Sequence, residues 1–240
     1  MKRTVLGLSA MSISLLCGTI ISLGSLVAMR GQLNSELLSQ RPFSLPSLLV
    51  TCLDPLAVLM EIGALVLIVR DSRRFGASHR RLAWAAMGLY IAWAAANLFG
   101  FLPLSFMSAL NGSRSLALAG QWVKALAALL AYLVPLLLVF GLSPRPWRIA
   151  LGLGLFLSVI GSFGVIALSI AHLQLAPIAA AGQTLYVARF SIDYTKGLFP
   201  TLLVAGHLGG ALYLVVYARL LWMAWQGMCS SPVLQESTAA

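Results

Sequence analysis

The amino-acid sequence predicts an all-α membrane protein, a polytopic bundle of about six transmembrane helices with both termini in the cytoplasm. Hydrophobic residues make up 60% of the 240-residue chain and charged residues only 9%, whereas a typical soluble domain has about 25% charged residues. A soluble globule of this size cannot bury so much apolar surface, so lipid must solvate it. The apolar residues also fall in long runs that short polar segments separate.

Six apolar runs are long enough to cross a bilayer core of about 30 Å as helices. The predicted spans cover residues 5–29, 45–69, 82–104, 121–142, 149–171 and 199–223. They form one transmembrane domain, 1–229, and a polar tail follows over 230–240. The turn strings NGS at 111–113 and SPRP at 143–146 separate spans, the first inside a predicted loop over 105–115. A longer external segment is predicted over 172–198.

The first span follows a basic start, Met1-Lys2-Arg3, and therefore has the build of a signal sequence. Its apolar run over 5–29 is longer than the core of a cleaved signal, which has about 7–15 residues. No small-residue cleavage motif ends the run. We therefore interpret it as a retained membrane anchor, with cleavage as the alternative.

Lysine and arginine residues set the orientation, because translocation of positively charged loops is disfavoured. Five arginines lie over residues 70–81, directly after the second span, and two more lie over 145–148. With a cytoplasmic N-terminus, ten of the 16 Lys and Arg residues fall on the inner side. The net charge of +10 therefore suits an anionic leaflet rather than nucleic acid. A bacterial inner membrane is the expected location.

Small residues in the last two spans predict close helix packing. Gly154, Ser158 and Gly161 share a stripe of the fifth span, and Gly206 and Gly210 have GxxxG spacing in the sixth. Small side chains let helix backbones approach closely where lipid supplies no hydrophobic drive for association. The pattern indicates a compact bundle.

Two carboxylates, Asp54 and Glu61, fall inside a predicted span. An ionised acid near a helix centre costs roughly 2.5–3.5 kcal/mol on insertion scales, so such a residue usually faces a partner or a wet cavity. Asn97 and His207 are predicted at the depth of Asp54, about 10–14 Å from the outer helix ends at 1.5 Å per residue. Asp54, Glu61, Asn97 and His207 are therefore the candidates for an ion or proton pathway.

Asp54 also has a structural interpretation. Asp54-Pro55 is a good helix start, with Asp as N-cap and Pro at the first helical position. Residues 45–52 would then form an interfacial or re-entrant piece. Capping does not explain Glu61, whose structural alternative is a carboxyl that is neutral or paired with a neighbouring helix.

Cofactor and metal motifs are sparse in the sequence. His172 and His207 lie on different predicted helices and are candidate axial haem ligands, although a lone helical histidine is more often structural. The three cysteines, Cys17, Cys52 and Cys229, are scattered, so neither a metal site nor a disulfide framework is predicted. The chain has no HExxH, GxSxG or P-loop motif, and no enzyme class is indicated.

Two functions fit these observations. The first is an integral membrane transport protein, or the membrane subunit of a transport complex, with an intramembrane cation or proton site. The alternative is a non-catalytic membrane subunit or assembly factor of a respiratory or photosynthetic complex, with haem as its candidate cofactor. The expected partners are the lipid bilayer and other membrane subunits.

The orientation makes a testable prediction. Cysteines placed at Ser78 and Asn111, in a background without the three native cysteines, should react with an impermeant thiol reagent from opposite sides of the membrane, because the arginine-rich loop stays in the cytoplasm. Labelling of intact and opened vesicles measures this. Reaction of both positions from the outside would contradict the orientation.

Overall fold

The computed structural model describes residues 2–32, 45–180, 183–190 and 197–226. Nearly all of them are helical. In chain order the elements are α1 Lys2–Gln32, α2 Leu45–Asp71, a 3₁₀ turn Ser72–Phe75, α3 Gly76–Ala95, a π-helical segment Ala96–Phe101, α4 Leu102–Asn111, α5 Arg114–Phe140, α6 Arg145–Ala171, β1 Leu173–Ala180, β2 Gln183–Phe190 and α7 Leu198–Trp225.

Four helices in the described part of the chain are long and apolar enough to cross a membrane. They are the stretch Arg3–Ile20 of α1 and the whole of α5, α6 and α7. Their length and composition support the predicted class, a helical membrane protein. The bounds of the last three also agree with the predicted spans to within a few residues at most ends.

Consecutive helices run in opposite directions, except that α3 and α4 are parts of one long helix. Thr4 at the start of α1 contacts Asp71 at the end of α2, so these two ends lie together. The turns 72–75 and 141–144 lie at that end as well, and we call it the arginine end because exposed arginines surround it. The turn at Gly112 contacts Tyr186 of β2 at the opposite end, which we call the hairpin end.

A hydrogen-bonded ion pair fixes the arginine end of α1 and α2. The Thr4 hydroxyl donates to Asp71 Oδ2 at 2.5 Å, and Arg74 Nε lies 3.0 Å from Asp71 Oδ1. Burial works against ionisation of Asp71, but the Thr4 hydrogen bond and neighbouring positive charge, Arg74 included, outweigh it and lower the pKa of the carboxyl. Asp71 is therefore charged at neutral pH and holds the two helix ends together.

The predicted loop over 105–115 is wrong. Helix α4 continues to Asn111, and only Gly112 and Ser113 separate it from α5. Gly112 has φ +63°, and its N–H donates to Ser108 O, which closes the last turn of α4. The Ser113 hydroxyl accepts from Leu116 N and caps α5. A glycine and a capping serine are therefore sufficient for this reversal.

The hairpin formed by β1 and β2 departs from the all-α prediction. The strands pair antiparallel, with a register from Leu173↔Phe190 to Ala180↔Gln183. They occupy the segment that was predicted to be external and longer than the other loops. The ring of Tyr186 lies where a side chain at Gly112 would stand, about 2.9 Å from its ideal Cβ position. The hairpin thus packs against the turn between α4 and α5.

The π-helical segment interrupts the long helix that α3 and α4 form. The N–H of Leu102 donates to Asn97 O, one residue further back than in an α-helix. The Asn97 side chain donates through Nδ2 to Trp93 O at 2.8 Å. Pro103 follows directly and has no N–H to offer the carbonyl four residues earlier. The wider turn therefore lies where a proline and a side-chain donor both disturb the regular α-helical hydrogen bonding of the backbone.

Close contact between α6 and α7 follows the predicted stripe of small residues. A Cβ added to Gly161 would lie within 2.6 Å of Gly206 Cα, so only glycine fits there. Gly209 makes the next contact of this kind, against Ser158. The predicted partner Gly210 instead has its open side towards Thr19 of α1. The stripe is therefore confirmed on α6, and on α7 it includes Gly209 in place of Gly210.

This contact predicts different costs for the same substitution at two glycines of α6. Gly161→Ala should lower the free energy of unfolding by about 1–3 kcal/mol, because the methyl group meets α7 backbone. Gly152 is exposed and has open space around it. Gly152→Ala should therefore stay within about 0.5 kcal/mol of wild type. Unfolding in detergent measures both, and equal stability of the two variants would contradict the close contact.

Candidate functional site

The backbone of α2 carries both acids of the predicted second span. The helix begins at Leu45 and continues through Pro55, so Asp54 is not at its N-terminus. The capping interpretation of Asp54 is therefore wrong, as is a separate re-entrant piece over 45–52. The side chain of Asp54 lies outside the described part of the structure, and its role as a pathway residue stays a prediction.

Glu61 lies on α2 beside the main hydrophobic core of the bundle. Its side chain is half-buried, and Ala64 and Leu65 in the next turn are fully buried in that core. The hydroxyl groups of Tyr90 on α3 and Tyr217 on α7 lie within electrostatic range of its carboxyl. Within the described residues it makes no hydrogen bond and no ion pair. Three helices thus bring an acid and two phenols into one region.

Tyr217 belongs to a set of hydrogen bonds that joins α7 to α5. Its hydroxyl donates to Pro135 O at 2.7 Å, and the hydroxyl of Tyr213 donates to Tyr132 O at 3.1 Å. Pro135 has no N–H, so the regular hydrogen bonding of α5 is interrupted there. The two α7 tyrosines donate to carbonyls close to this interruption, which leaves Ala131 O without its regular donor.

The hydroxyl of Tyr132 extends the set to α6. It lies 2.5 Å from the Ser162 hydroxyl, within hydrogen-bonding distance. Helices α5, α6 and α7 are therefore joined by polar contacts inside the bundle. Polar groups that have no water to bond must find such partners within the protein. Within this set, the Tyr217 hydroxyl is fixed by its hydrogen bond to Pro135 O.

Tyr90 differs from the other tyrosines of the core. Only 8% of its surface is exposed, and its hydroxyl has no hydrogen-bond partner among the described residues. Its ring packs at 5.1 Å from that of Trp93 on the same helix. A buried hydroxyl without a hydrogen-bond partner is unfavourable unless a ligand or water forms that bond. The Tyr90 hydroxyl is therefore available to the Glu61 carboxyl or to a species that binds there.

Asn97 and His207 are engaged within their own helices. Asn97 donates to Trp93 O, and His207 Nδ1 donates to Leu203 O at 2.7 Å. His207 Nε2 is buried without a hydrogen-bond partner in the described structure. No hydrogen bond between described residues joins Asn97, His207 and Glu61. Their predicted convergence on one polar site remains a prediction.

The two histidines that were considered for haem lie at different depths. His172 directly follows α6 at the hairpin end and is exposed. His207 lies nine residues after Leu198, the first residue of α7, which places it about 14 Å from the same end at 1.5 Å per residue. Axial ligands must approach one iron from its two sides, so this spacing does not favour a shared haem.

The chemistry available at Glu61 is that of one carboxyl group and hydroxyl groups. Among the described residues, no three His, Cys, Asp or Glu side chains are grouped so that they could hold a metal ion. A carboxyl of this kind can take up and release a proton or attract a small cation. The sequence predicted Glu61 as a candidate but did not predict the tyrosines. A tyrosine in a membrane helix is as typical of anchoring at the membrane surface as of a buried site.

Comparisons with known proteins give no relative. No protein-family model matches the chain, no curated protein matches it, and no solved structure matches it.

Two tyrosine substitutions of equal size should have unequal effects on stability. Tyr217→Phe removes the donor to Pro135 O and should lower the free energy of unfolding by about 1 kcal/mol. Tyr90→Phe removes a hydroxyl without a described partner and should leave stability unchanged or slightly raised. Unfolding of the purified variants in detergent tests the pair. A larger loss for Tyr90→Phe would mean that its hydroxyl is bonded in the folded state.

Proposed function

We propose that this chain is an integral membrane transport protein, or the membrane subunit of a transport complex, in which Glu61 binds and releases a proton. Six spans, with both termini in the cytoplasm of a bacterium, belong to the same proposal. The alternating directions of the helices support six spans, and the exposed arginines at one end of the bundle support the orientation.

The observation that carries the proposal is the surroundings of Glu61. A carboxyl inside a membrane bundle is costly when it is charged and unpaired. The described residues place no cationic side chain against it, and they place two phenols near it instead. Such an acid is stable in its neutral form and becomes charged only when another group or a water molecule accepts its proton. That behaviour is what a proton carrier needs.

The tyrosines favour a proton over a metal cation. A hydroxyl can donate to a carboxylate or accept from a carboxylic acid, so it suits both states of a titrating group. Sodium or a divalent ion prefers several oxygen ligands together. The Tyr217 hydroxyl already donates to Pro135 O, which leaves the Tyr90 hydroxyl as the free donor for an ionised Glu61.

A neutral replacement at Glu61 tests the proposal. Glu61→Gln keeps the shape and hydrogen-bonding capacity of the side chain but cannot exchange a proton, so proton flux should fall to the level of protein-free vesicles. The measurement is proton uptake into reconstituted vesicles under an imposed membrane potential, with the fluorescence of an enclosed pH indicator as readout. Thermal unfolding should show that the variant remains folded.

Asp71→Asn provides the matched control on the same helix. It makes the same acid-to-amide change at the arginine end, where Asn can still accept from Thr4. Flux per folded molecule should stay near wild type for this variant. Wild-type flux for Glu61→Gln, or no wild-type flux above protein-free vesicles, would refute proton transport through Glu61.

A further inference from the structure

A cleft of about 310 Å³ lies at the hairpin end of the bundle, between α4 and α5, with Tyr186 of β2 as one of its walls. Its volume is at the lower end of the about 300–1,000 Å³ of small-molecule sites. Ala117 and Gly120 of α5 leave the space, because larger side chains there would fill it. A Cβ added at Gly120 would meet only ordinary contacts, the nearest at 3.6 Å from Leu104 Cβ. The cleft therefore has room for a polar headgroup.

Polar side chains line the cleft from both helices. Ser105 lies on α4 and Gln121 on α5. Within the described part of the chain, neither side chain makes a hydrogen bond, and the same holds for the Tyr186 hydroxyl. None of the lining residues is acidic. The three groups can donate hydrogen bonds to an anionic ligand without losing internal partners.

Positive charges stand on the same stripe of α5 as the lining residues. Arg114, Ala117, Gln121 and Lys124 follow one another at intervals of three or four residues, so they share one helix face. Lys124 Nζ lies 5.5 Å from the ring centre of Phe101, and that ring lines the cleft. Arg114 and Lys124 are both exposed. They lie on either side of the polar groups along the helix.

Exposed apolar side chains lie next in sequence to residues that line the cleft. Leu102 and Phe106, one turn apart on α4, are 52% and 64% exposed. Trp122, next to Gln121 on α5, is 49% exposed. Tryptophan at a helix end is typical of the membrane–water interface. A ligand with a polar head in the cleft would have an apolar surface on which to lay a hydrocarbon chain.

We propose that this cleft binds the phosphate headgroup of an anionic phospholipid. Ser105 and Gln121 donate to the phosphate oxygens, Arg114 and Lys124 supply charge from the two ends of the stripe, and the acyl chains lie along Leu102, Phe106 and Trp122. Charge-assisted hydrogen bonds to phosphate are among the stronger polar contacts in proteins. The site shares no residue with the Glu61 region and does not rest on the transport proposal.

Lipid binding to the purified full-length protein tests this inference. The protein in neutral detergent is titrated with short-chain phosphatidylglycerol, and native mass spectrometry counts the bound lipids. Gly120→Leu should weaken the tightest binding step by at least about tenfold, because the side chain fills the cleft. Arg114→Gln and Lys124→Gln, which change exposed side chains and should fold normally, should each weaken it by about five- to tenfold.

Matched controls place the same changes elsewhere. Gly152→Leu lies at an open position on α6, and Arg145→Gln removes an exposed charge at the arginine end. Both should bind lipid as wild type does. Equal binding by all variants, or equal affinity for phosphatidylcholine, would overturn the proposal. Displacement of the lipid by glycerol phosphate at equal concentration would overturn the lipid as occupant and assign the cleft to a soluble phosphate ester.

Discussion

The contact between α5 and α7 is made by hydrogen bonds from two tyrosines to backbone carbonyls of a helix that contains a proline. Pro135 removes a backbone donor from α5, and Tyr213 and Tyr217 of α7 donate to carbonyls beside it. These tyrosines reach α5 because α7 is held in register by α6, where Gly161 allows the backbones to touch. Inside a membrane, backbone polar groups must find partners within the protein. The close contact of α6 with α7 and the tyrosine hydrogen bonds to α5 thus act on the same helix, α7.

Two acids on α2 differ in the partners that their positions offer. Asp71, at the arginine end, accepts from Thr4 and pairs with Arg74, and those contacts compensate for its burial. Glu61 lies ten residues earlier, about 15 Å further into the bundle at 1.5 Å per residue, where the described residues offer phenols and no cation. The same chemical group is a structural ion pair at one end of the helix and a titratable candidate in its interior.

The sequence predicted those features of the fold that depend on a single local rule. Apolar length predicted the last three long helices, and the SPRP string predicted the break between α5 and α6, whose turn covers 141–144, because proline cannot continue the preceding helix. The turn at Gly112 was placed correctly, but its two-residue length depends on a capping bond from Ser113 that spacing does not reveal. The hairpin depends on contact between Tyr186 and Gly112, which are distant in sequence. The tyrosine set near Glu61 likewise arises from helix packing, so no local pattern could predict it.

The π-helical segment over 96–101 has a consequence for how this chain can change. A π turn accommodates one residue more than an α turn, so everything beyond it is rotated by about 100° relative to an uninterrupted helix of 3.6 residues per turn. Ser105 and Ser108 face α5 only because of that extra residue. Point substitutions in this helix alter one side chain at a time. Loss of a single residue from 96–101 would instead convert the π turn to a regular α turn and leave the faces of α4 where they are, whereas the same loss within α3 would turn everything beyond it by about 100°.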